Sequence, residues 1–298
     1  MQYRPIIVVA AISSATIGIP AAPAASENAG RAPIPSAIAA RSTSNAVIVG
    51  RDVSFPQCGG SMPRERGAAF GVLGTNNGTS FTRNPCLVTE LAWAKRLALP
   101  PAFYANTGNP GPRRAKHWPL GQTAPKVCAA SDPNSLGCSY DYGWNAAWAS
   151  YTAATDAAQR LHGVDRVNAR YRAANVDWWL DIETMNSWQP IDGPATTAAY
   201  RRDVATIAGE VDALRIAGVA RVGIYSTPQQ WSQITGGSKV TQGRFSDAPQ
   251  WLAGYASHAA AVAGCAHPGF TRGPVRMTQY LGADGFDANI VCTERNLG

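Results

Sequence analysis

Two carboxylates separated by one residue follow an unusually apolar segment of this sequence. Asp181 and Glu183 come directly after Trp178-Trp179-Leu180. On a β-strand, side chains at positions i and i+2 point to the same face, roughly 6–7 Å apart, and Ile182 between them faces the other way. Two like charges in a partly dry site raise one pKa, which produces the acid and neighbouring carboxylate that glycoside cleavage requires. We therefore assign Glu183, with its longer reach, as candidate general acid and Asp181 as the residue that orients it or stabilises charge.

Two further carboxylates interrupt apolar segments. Asp52 lies within VIVGRDVSF, and Asp287 lies near the start of FDANIV. A lone Asp-x-Glu is also compatible with a solvated strand end or half of an ion pair, but the preceding tryptophans argue against a solvated edge. Aromatic faces at strand ends can stack on sugars, although aromatics in alternating strands more often belong to a core. Four such residues are candidate substrate contacts: Tyr225, Tyr280, Trp251 and Tyr255.

Other site chemistries lack their sequence signatures. The four histidines are isolated and show no ligand spacing, so we expect neither a catalytic metal nor another cofactor. The sequence contains no Gly-x-Ser-x-Gly motif and no Cys-x-x-Cys pair. Asp141 precedes a helical segment, and we expect it to cap that helix.

The segments that must position these residues alternate between strand and helix patterns. Eight strands are predicted, at Ala46 to Phe55, Ala68 to Asn76, Ala102 to Asn106, Asp177 to Thr184, Arg221 to Ser226, Gln250 to Ala256, Val275 to Leu281 and Phe286 to Cys292. The clearest helices are Pro85 to Leu97, with Asn84 as its N-cap, Trp144 to Leu161, and Thr196 to Ile216, stopped by Gly218. This alternation predicts parallel βαβ units in a single TIM-type (β/α)8-like barrel, irregular near the C-terminus, with its chemistry at the carboxyl ends of the strands. An open doubly wound sheet is the alternative, but no glycine-rich phosphate turn supports it.

The N-terminal residues resemble a secretory signal. Residues 1–25 combine Arg4, an apolar stretch from Ile6 to Ile19 and Ala22-Pro23-Ala24, so we predict a signal peptide and a secreted or cell-wall-associated protein. Residues 26–45 read as a flexible leader, and residues 46–298 as the barrel domain. In an oxidising compartment, six cysteines allow 15 pairings. The most local pairing is Cys58–Cys86, Cys128–Cys138 and Cys265–Cys292.

The charge of the chain excludes some partners. The 298 residues carry a formal net charge of +7, with 26 Lys and Arg against 19 Asp and Glu. The basic residues are dispersed, so nucleic acid is not an expected partner. Attraction to an acidic envelope polymer is compatible with this charge, but we favour solubility as its reason. No stretch is long and apolar enough to predict a membrane span in the mature chain.

Several ordered motifs resemble a known family. Gly50-Arg51-Asp52-Val53-Ser54 and Leu180-Asp181-Ile182-Glu183 resemble strands of the family 25 glycoside hydrolases, the Chalaropsis-type lysozymes. The longer signatures resemble a related branch, the secreted actinobacterial glycoside-hydrolase-like domains. They are DVSFPQC from Asp52, DYGWN from Asp141 and YSTPQ from Tyr225. The resemblance extends over roughly residues 46 to 292, and it departs from the plain lysozyme pattern at Arg51 and in the cysteine-bearing loop Gly111 to Tyr140.

This resemblance implies a glycosidase that cleaves bacterial peptidoglycan, with Glu183 as general acid, Asp181 as its partner, and Asp52 and Asp287 as supporting carboxylates. The nucleophile stays open among a direct retaining route, an inverting route and assistance by the substrate's own acetamide. A catalytically inactive, glycan-binding barrel is the alternative. A structural envelope protein is a third, weaker reading.

Overall fold

The computed structural model of the chain describes residues 47–190 and 194–293. All of these residues belong to one compact unit, Ala37–Gly298. The predicted signal peptide, residues 1–25, and the predicted leader, residues 26–45, lie outside the described residues. Across the described ranges, no helix has both the length and the apolarity needed to cross a membrane.

Eight strands form one closed barrel in chain order. They are β1 Val49–Val53, β2 Phe70–Gly74, β3 Ala102–Asn106, β4 Trp178–Asp181, β5 Val222–Ser226, β6 Gln250–Tyr255, β7 Val275–Leu281 and β8 Asp287–Val291. Neighbouring strands from β1 to β7 are parallel. The last strand, β8, is antiparallel to both β7 and β1. The predicted (β/α)8-like barrel and its irregular C-terminal end are confirmed, and the irregularity is the reversed direction of β8.

Seven helices surround the strands within the described residues. They are α1 Leu87–Ala94, α2 Leu136–His162, α3 Arg166–Ala174, α4 Thr197–Ile216, α5 Pro228–Thr235, α6 Ser238–Thr241 and α7 His258–Gly264. The helix α4 has its expected bounds: the Thr196 hydroxyl accepts a hydrogen bond from the Ala199 N–H, and Gly218 follows in the left-handed region with φ +94°.

Three expectations about helix starts need correction. The N-cap of α1 is Cys86 rather than Asn84, whose side-chain oxygen accepts the Cys86 N–H. The helix α2 starts eight residues before the predicted Trp144, capped by Ser135, whose side chain accepts a hydrogen bond from the Cys138 N–H. Asp141 is therefore buried inside α2 and does not cap it. Its carboxylate accepts a hydrogen bond from the Lys126 N–H instead.

The helices α2 and α4 approach each other closely, because each presents a glycine at their contact. A Cβ atom on Gly143 would lie 2.0 Å from the Thr206 carbonyl oxygen. A Cβ atom on Gly209 would lie 2.0 Å from the Tyr140 carbonyl oxygen. Any larger residue at either position would force the two backbones apart. This contact joins the two helices that pack against β3 and β5.

The barrel divides the apolar side chains between its interior and the helix layer. Phe70, Val72, Trp179, Trp251 and Met277 form the interior cluster. A larger cluster between strands and helices contains Leu180 and Ile182. Ile182 is fully buried in this larger cluster, so its side chain faces the helices. This direction is the one predicted from its position between Asp181 and Glu183.

Three disulfides have the expected local pairing, Cys58–Cys86, Cys128–Cys138 and Cys265–Cys292. The first connects the turn after β1 to the N-cap of α1. The second connects the loop before α2 to its first turn, and the third connects the end of α7 to the residue after β8. The loops that border the barrel are thereby tied to its framework.

Candidate active site

Polar side chains form the last inward-facing layer at one end of the barrel. Asp52, Asn106, Asp181 and Tyr225 lie at or next to the carboxyl ends of β1, β3, β4 and β5. Hydrogen bonds join these strands across the interior, from Asn106 to Asp181 and from Tyr225 through Gln279 to Asp52. Because β1 to β7 run in parallel, these residues share one mouth of the barrel, the end at which barrels of this type place their chemistry.

Asp287 reaches the same mouth from the opposite chain direction. It is the first residue of β8 and pairs with Leu281, the last residue of β7. The next residue, Ala288, pairs with Arg51 of β1. Asp287 is exposed, and its negative charge contributes to the raised pKa of Asp52. The structure therefore brings all four predicted carboxylates to one end of the barrel.

A short hydrogen-bond chain holds Asp52 in place. The Tyr225 hydroxyl donates to Gln279 Oε1 at 2.8 Å, and Gln279 Nε2 donates to Asp52 Oδ2 at 2.6 Å. Burial, followed by the charge of Asp287, raises the pKa of Asp52 to about 7, and the hydrogen bond from Gln279 opposes this rise. Asp52 therefore changes its charge near neutral pH.

Asp181 and Glu183 form a coupled pair at the end of β4. Asp181 is 4% exposed, whereas Glu183 is only half-buried. Burial raises the pKa of both carboxyl groups, and the charge and hydrogen bond of Glu183 raise that of Asp181 further. Asn106 donates a hydrogen bond to Asp181 Oδ2 and opposes the rise. The pair therefore binds protons as a unit and retains one at a higher pH than an isolated carboxyl group does.

Gln230, at the start of α5, forms a hydrogen bond with Glu183. The Thr184 N–H and hydroxyl both donate to Gln230 Oε1, at 2.6 and 3.1 Å. A hydrogen bond from the Gln230 side chain stabilises the ionised form of Glu183 and lowers its pKa against the effect of burial. Glu183 thus has hydrogen bonds to a buried carboxyl group and to a fixed amide, and it remains partly exposed to solvent.

The predicted aromatic contacts have different positions. Tyr225 lies in the mouth layer, and its ring centroid is 4.4 Å from that of Trp251 below it. Trp251 is 2% exposed and also contacts Trp179, so it forms the floor and offers no free face. Its expected role as a direct substrate contact is not compatible with this burial.

Tyr255 and Tyr280 lie outside the barrel, contrary to expectation. They pack against the cluster that contains the Cys265–Cys292 bridge. Tyr280 contacts His258 edge-on at 5.7 Å. Tyr280 points outward because side chains alternate along a strand and its neighbour Gln279 faces inward. Tyr255 points outward because the register of β6 against β7 shifts between Leu252 and Tyr255.

The site contains residues that the sequence analysis did not identify. Gln279 and Asn106 each hold one of the inner carboxylates, and Tyr104 lies close enough to Asp52 and Asp181 for their charges to raise its pKa. A signal was available for the first two, because each is a polar residue at an inward position of an otherwise apolar strand. Over the part of the chain that the structure describes, no group of three or more His, Cys, Asp or Glu residues is suited to hold a metal ion.

Comparison with known proteins concerns the fold. No protein-family model matches the sequence, and no curated protein matches it. Among solved structures, the chain is similar to a muramidase from Trichobolus zukalii, with a TM-score of 0.50 and 18% identity over 84% of this chain and 98% of that chain. A muramidase from Acremonium alcalophilum gives 0.49 and 19%, over 84% and 98% of the two chains. A family GH25 lysozyme from Aspergillus fumigatus gives 0.46 and 17%, over 85% and 99%. The chain therefore shares the barrel fold of the muramidase from Trichobolus zukalii.

Proposed function

We propose that the chain is a secreted glycoside hydrolase that cleaves bacterial cell-wall peptidoglycan, with Glu183 as general acid and Asp181 as its partner. The observation that carries this proposal is the coupled pair at the barrel mouth, in which a buried carboxyl group lies against a half-exposed one. The similarity in fold to a muramidase and the family resemblance of the motifs agree with this substrate class. The three disulfides agree with an oxidising, extracellular location.

Glu183 is the member of the pair that a glycan can reach. Burial raises the pKa of Glu183, whereas its hydrogen bond with Asp181 lowers it, and the stronger rise at Asp181 places the shared proton of the pair on Asp181 in the free protein. For cleavage this proton moves to Glu183 and then passes to the glycosidic oxygen as the bond between that oxygen and the anomeric carbon breaks. The leaving sugar departs as an alcohol, and water supplies the hydroxyl group that ends on the other sugar. Asp181, held by Asn106, is then the ionised partner that stabilises positive charge on the sugar ring.

The attacking group distinguishes three versions of this mechanism. A carboxylate of the site, a water molecule or the acetamide of an N-acetylated sugar can attack the anomeric carbon. In the third version, Asp181 holds the acetamide rather than the sugar. All three versions retain Glu183 as the proton donor, so the assignment of the acid is tested independently of the nucleophile.

Glycan binding without cleavage is the second candidate function. One observation favours it: Asp181 is 4% exposed and hydrogen-bonded to Asn106, so it has little surface for a substrate to contact. In that case Tyr225, which lies in the mouth layer, contributes more to affinity than either member of the carboxylate pair.

Product release from purified peptidoglycan tests the proposal. Glu183→Gln keeps the size of the side chain but removes its transferable proton, and we expect a loss of at least ~10²-fold in cleavage rate. Asp181→Asn is expected to impair cleavage as well. The control is Glu65→Gln. Glu65 is exposed, forms an ion pair with Arg96 and is distant in sequence from Asp181 and Glu183. Thermal unfolding of each variant verifies that it is folded.

Two results would contradict the assignment. Undiminished cleavage by the Glu183→Gln variant would show that Glu183 is not the acid. Absence of cleavage by the folded wild-type protein, combined with retention on peptidoglycan in a pull-down, would establish the glycan-binding alternative.

A further inference from the structure

A groove with a volume of about 700 Å³ lies on the outside of the barrel, between α2, α4 and α6. Four basic residues line it: Lys126, Arg201, Lys239 and Arg244. Its one acidic lining residue is Asp212. The helix α4 starts after the carboxyl end of β4, so the groove begins at the same end of the barrel as the mouth.

The single carboxylate of the groove is already engaged. Asp212 accepts a hydrogen bond from the Tyr140 hydroxyl at 2.9 Å and pairs with Arg244 at 3.6 Å. The Lys126 ammonium lies 5.2 Å from the centre of the Tyr140 ring. Within the described ranges, Arg201 and Lys239 have no acidic partner. The groove therefore has an excess of positive charge that its own residues do not neutralise.

The distribution of acidic residues increases this imbalance. Five carboxyl groups are at most 4% exposed: Glu90, Asp141, Asp181, Asp203 and Glu210. Because these groups lie inside the protein, the exposed surface is more basic than the formal net charge of +7 indicates. No acidic residue occupies the first turn of α2 or α4, whose N-terminal parts form two walls of the groove. Helix starts without acidic side chains leave their positive dipole ends uncompensated.

We propose that this groove binds a linear polyanion through its phosphate or carboxylate oxygens. The arginine guanidinium groups offer planar pairs of donors to such oxygens, and the lysines add point charges that tolerate varied spacing. A chain-like ligand fits because the basic residues come from four separate segments, namely the loop before α2, α4, α6 and the turn after α6. This site is separate from the carboxylate pair and does not depend on glycan cleavage. Its occupant is an anionic polymer of the kind that an exported protein meets at a cell envelope.

Fluorescence anisotropy of a labelled linear polyphosphate tests the proposal. The double variant Arg201→Gln/Lys239→Gln removes two of the positive charges. The matched control is Arg160→Gln/Arg170→Gln, which removes two exposed charges from α2 and α3, outside the groove. Both variants lose the same net charge, so any difference between them reports position rather than total charge.

The expected result is weaker binding by the groove variant alone. The plot of log affinity against log salt, between roughly 50 and 200 mM, should become shallower by about 1.4, because two contacts to a single-stranded polyanion are lost. Equal weakening in the control would overturn the proposal, since it would show attraction by overall charge. Absence of polyphosphate and polygalacturonate binding by the wild type would also overturn it.

A parallel titration with polygalacturonate identifies the source of the anionic oxygens. Binding of polyphosphate alone assigns the groove to phosphate polymers, and binding of polygalacturonate alone assigns it to carboxylate polymers. In either case, binding of the polymer must weaken in the Arg201→Gln/Lys239→Gln variant and not in the control if the groove is the binding site. None of these binding measurements requires glycan cleavage. A failure of polyanion binding is therefore distinguishable from a failure of the proposed hydrolase activity.

Discussion

Glu210 makes the stability of this protein depend on pH. The side chain lies in α4 and is 1% exposed. Its Oε2 atom accepts a hydrogen bond from the Thr107 hydroxyl at 2.8 Å, whereas its Oε1 atom has no partner. Burial raises the pKa of Glu210 from 4.5 to about 8, and the hydrogen bond from Thr107 only partly opposes this rise. The folded protein therefore holds Glu210 as a neutral acid at physiological pH.

The direction of the pH effect follows from proton binding. Between pH 4.5 and about 8, the folded state keeps a proton on Glu210 that the unfolded state has lost. Stability from this group is fully present below pH 4.5 and decreases as the pH rises through 8. With these two pKa values, raising the pH from about 5 to about 8 costs about 3–4 kcal/mol of unfolding free energy. That loss is a large fraction of the 5–15 kcal/mol typical of a folded domain.

Glu210→Gln removes the ionisation but keeps an acceptor for Thr107. We expect the variant to resemble the neutral acid, so its stability relative to the wild type should increase by about 3 kcal/mol as the pH rises from about 5 to about 8. Urea unfolding at several pH values measures this, and the difference between the two proteins isolates Glu210 from the other buried acids. Glu65→Gln, on the exposed surface, is the control. Parallel curves for wild type and Glu210→Gln would refute the reasoning.

Two predictions concern the mouth of the barrel. Gln279→Leu removes the hydrogen bond that opposes the rise in the pKa of Asp52. We therefore expect the pKa of Asp52 to move above about 7, as measured by an NMR titration of its carboxyl carbon. A lower pKa in the variant would contradict the hydrogen-bond chain. Tyr225→Ala should weaken glycan binding in a pull-down at least several-fold, whereas Tyr280→Ala, on the outer face, should leave it unchanged; equal losses would contradict the placement of these rings.

The positions of the strands were predictable because their apolar patterns are short and separated by clear turns. The carboxylates of the site were predictable for the same reason, since a charged residue stands out at an inward position of a buried strand. The local disulfide pairing was also predicted correctly, as Cys128 and Cys138 flank a single turn and the start of α2.

The early start of α2 was not predictable from helix propensity. Its first turns contain Gly137 and Gly143, and glycine inside a helix normally counts against one. Both glycines are explained by packing: a Cβ atom on Gly137 would lie 2.4 Å from the Val127 carbonyl oxygen, and one on Gly143 would meet α4. Tertiary contacts that exist only in the folded barrel therefore determine where α2 begins.

The aromatic residues show where strand alternation helps and where it fails. In VRMTQYL, Met277 is apolar and inward, so Gln279 should share its face and Tyr280 should point outward. The sequence contained that information. In β6 the alternation from Trp251 would place Tyr255 inside, but the strand shifts register and Gly254 adopts φ +87°. A bulge of this kind depends on the neighbouring strand and has no reliable local signal.

The reversed direction of β8 follows from the length of the connection before it. Only residues 282–286 separate Leu281 from Asp287, whereas a parallel crossover needs a dozen residues or more. A hairpin is the only connection of that length, so β8 must run against β7. In a parallel strand, the first residue would lie at the opposite end of the barrel, far from the mouth. Reversal instead brings Asp287 to the mouth, where its charge helps to keep Asp52 protonated near neutral pH. The short hairpin therefore accounts for both the irregular end of the barrel and the presence of a fourth carboxylate in the site.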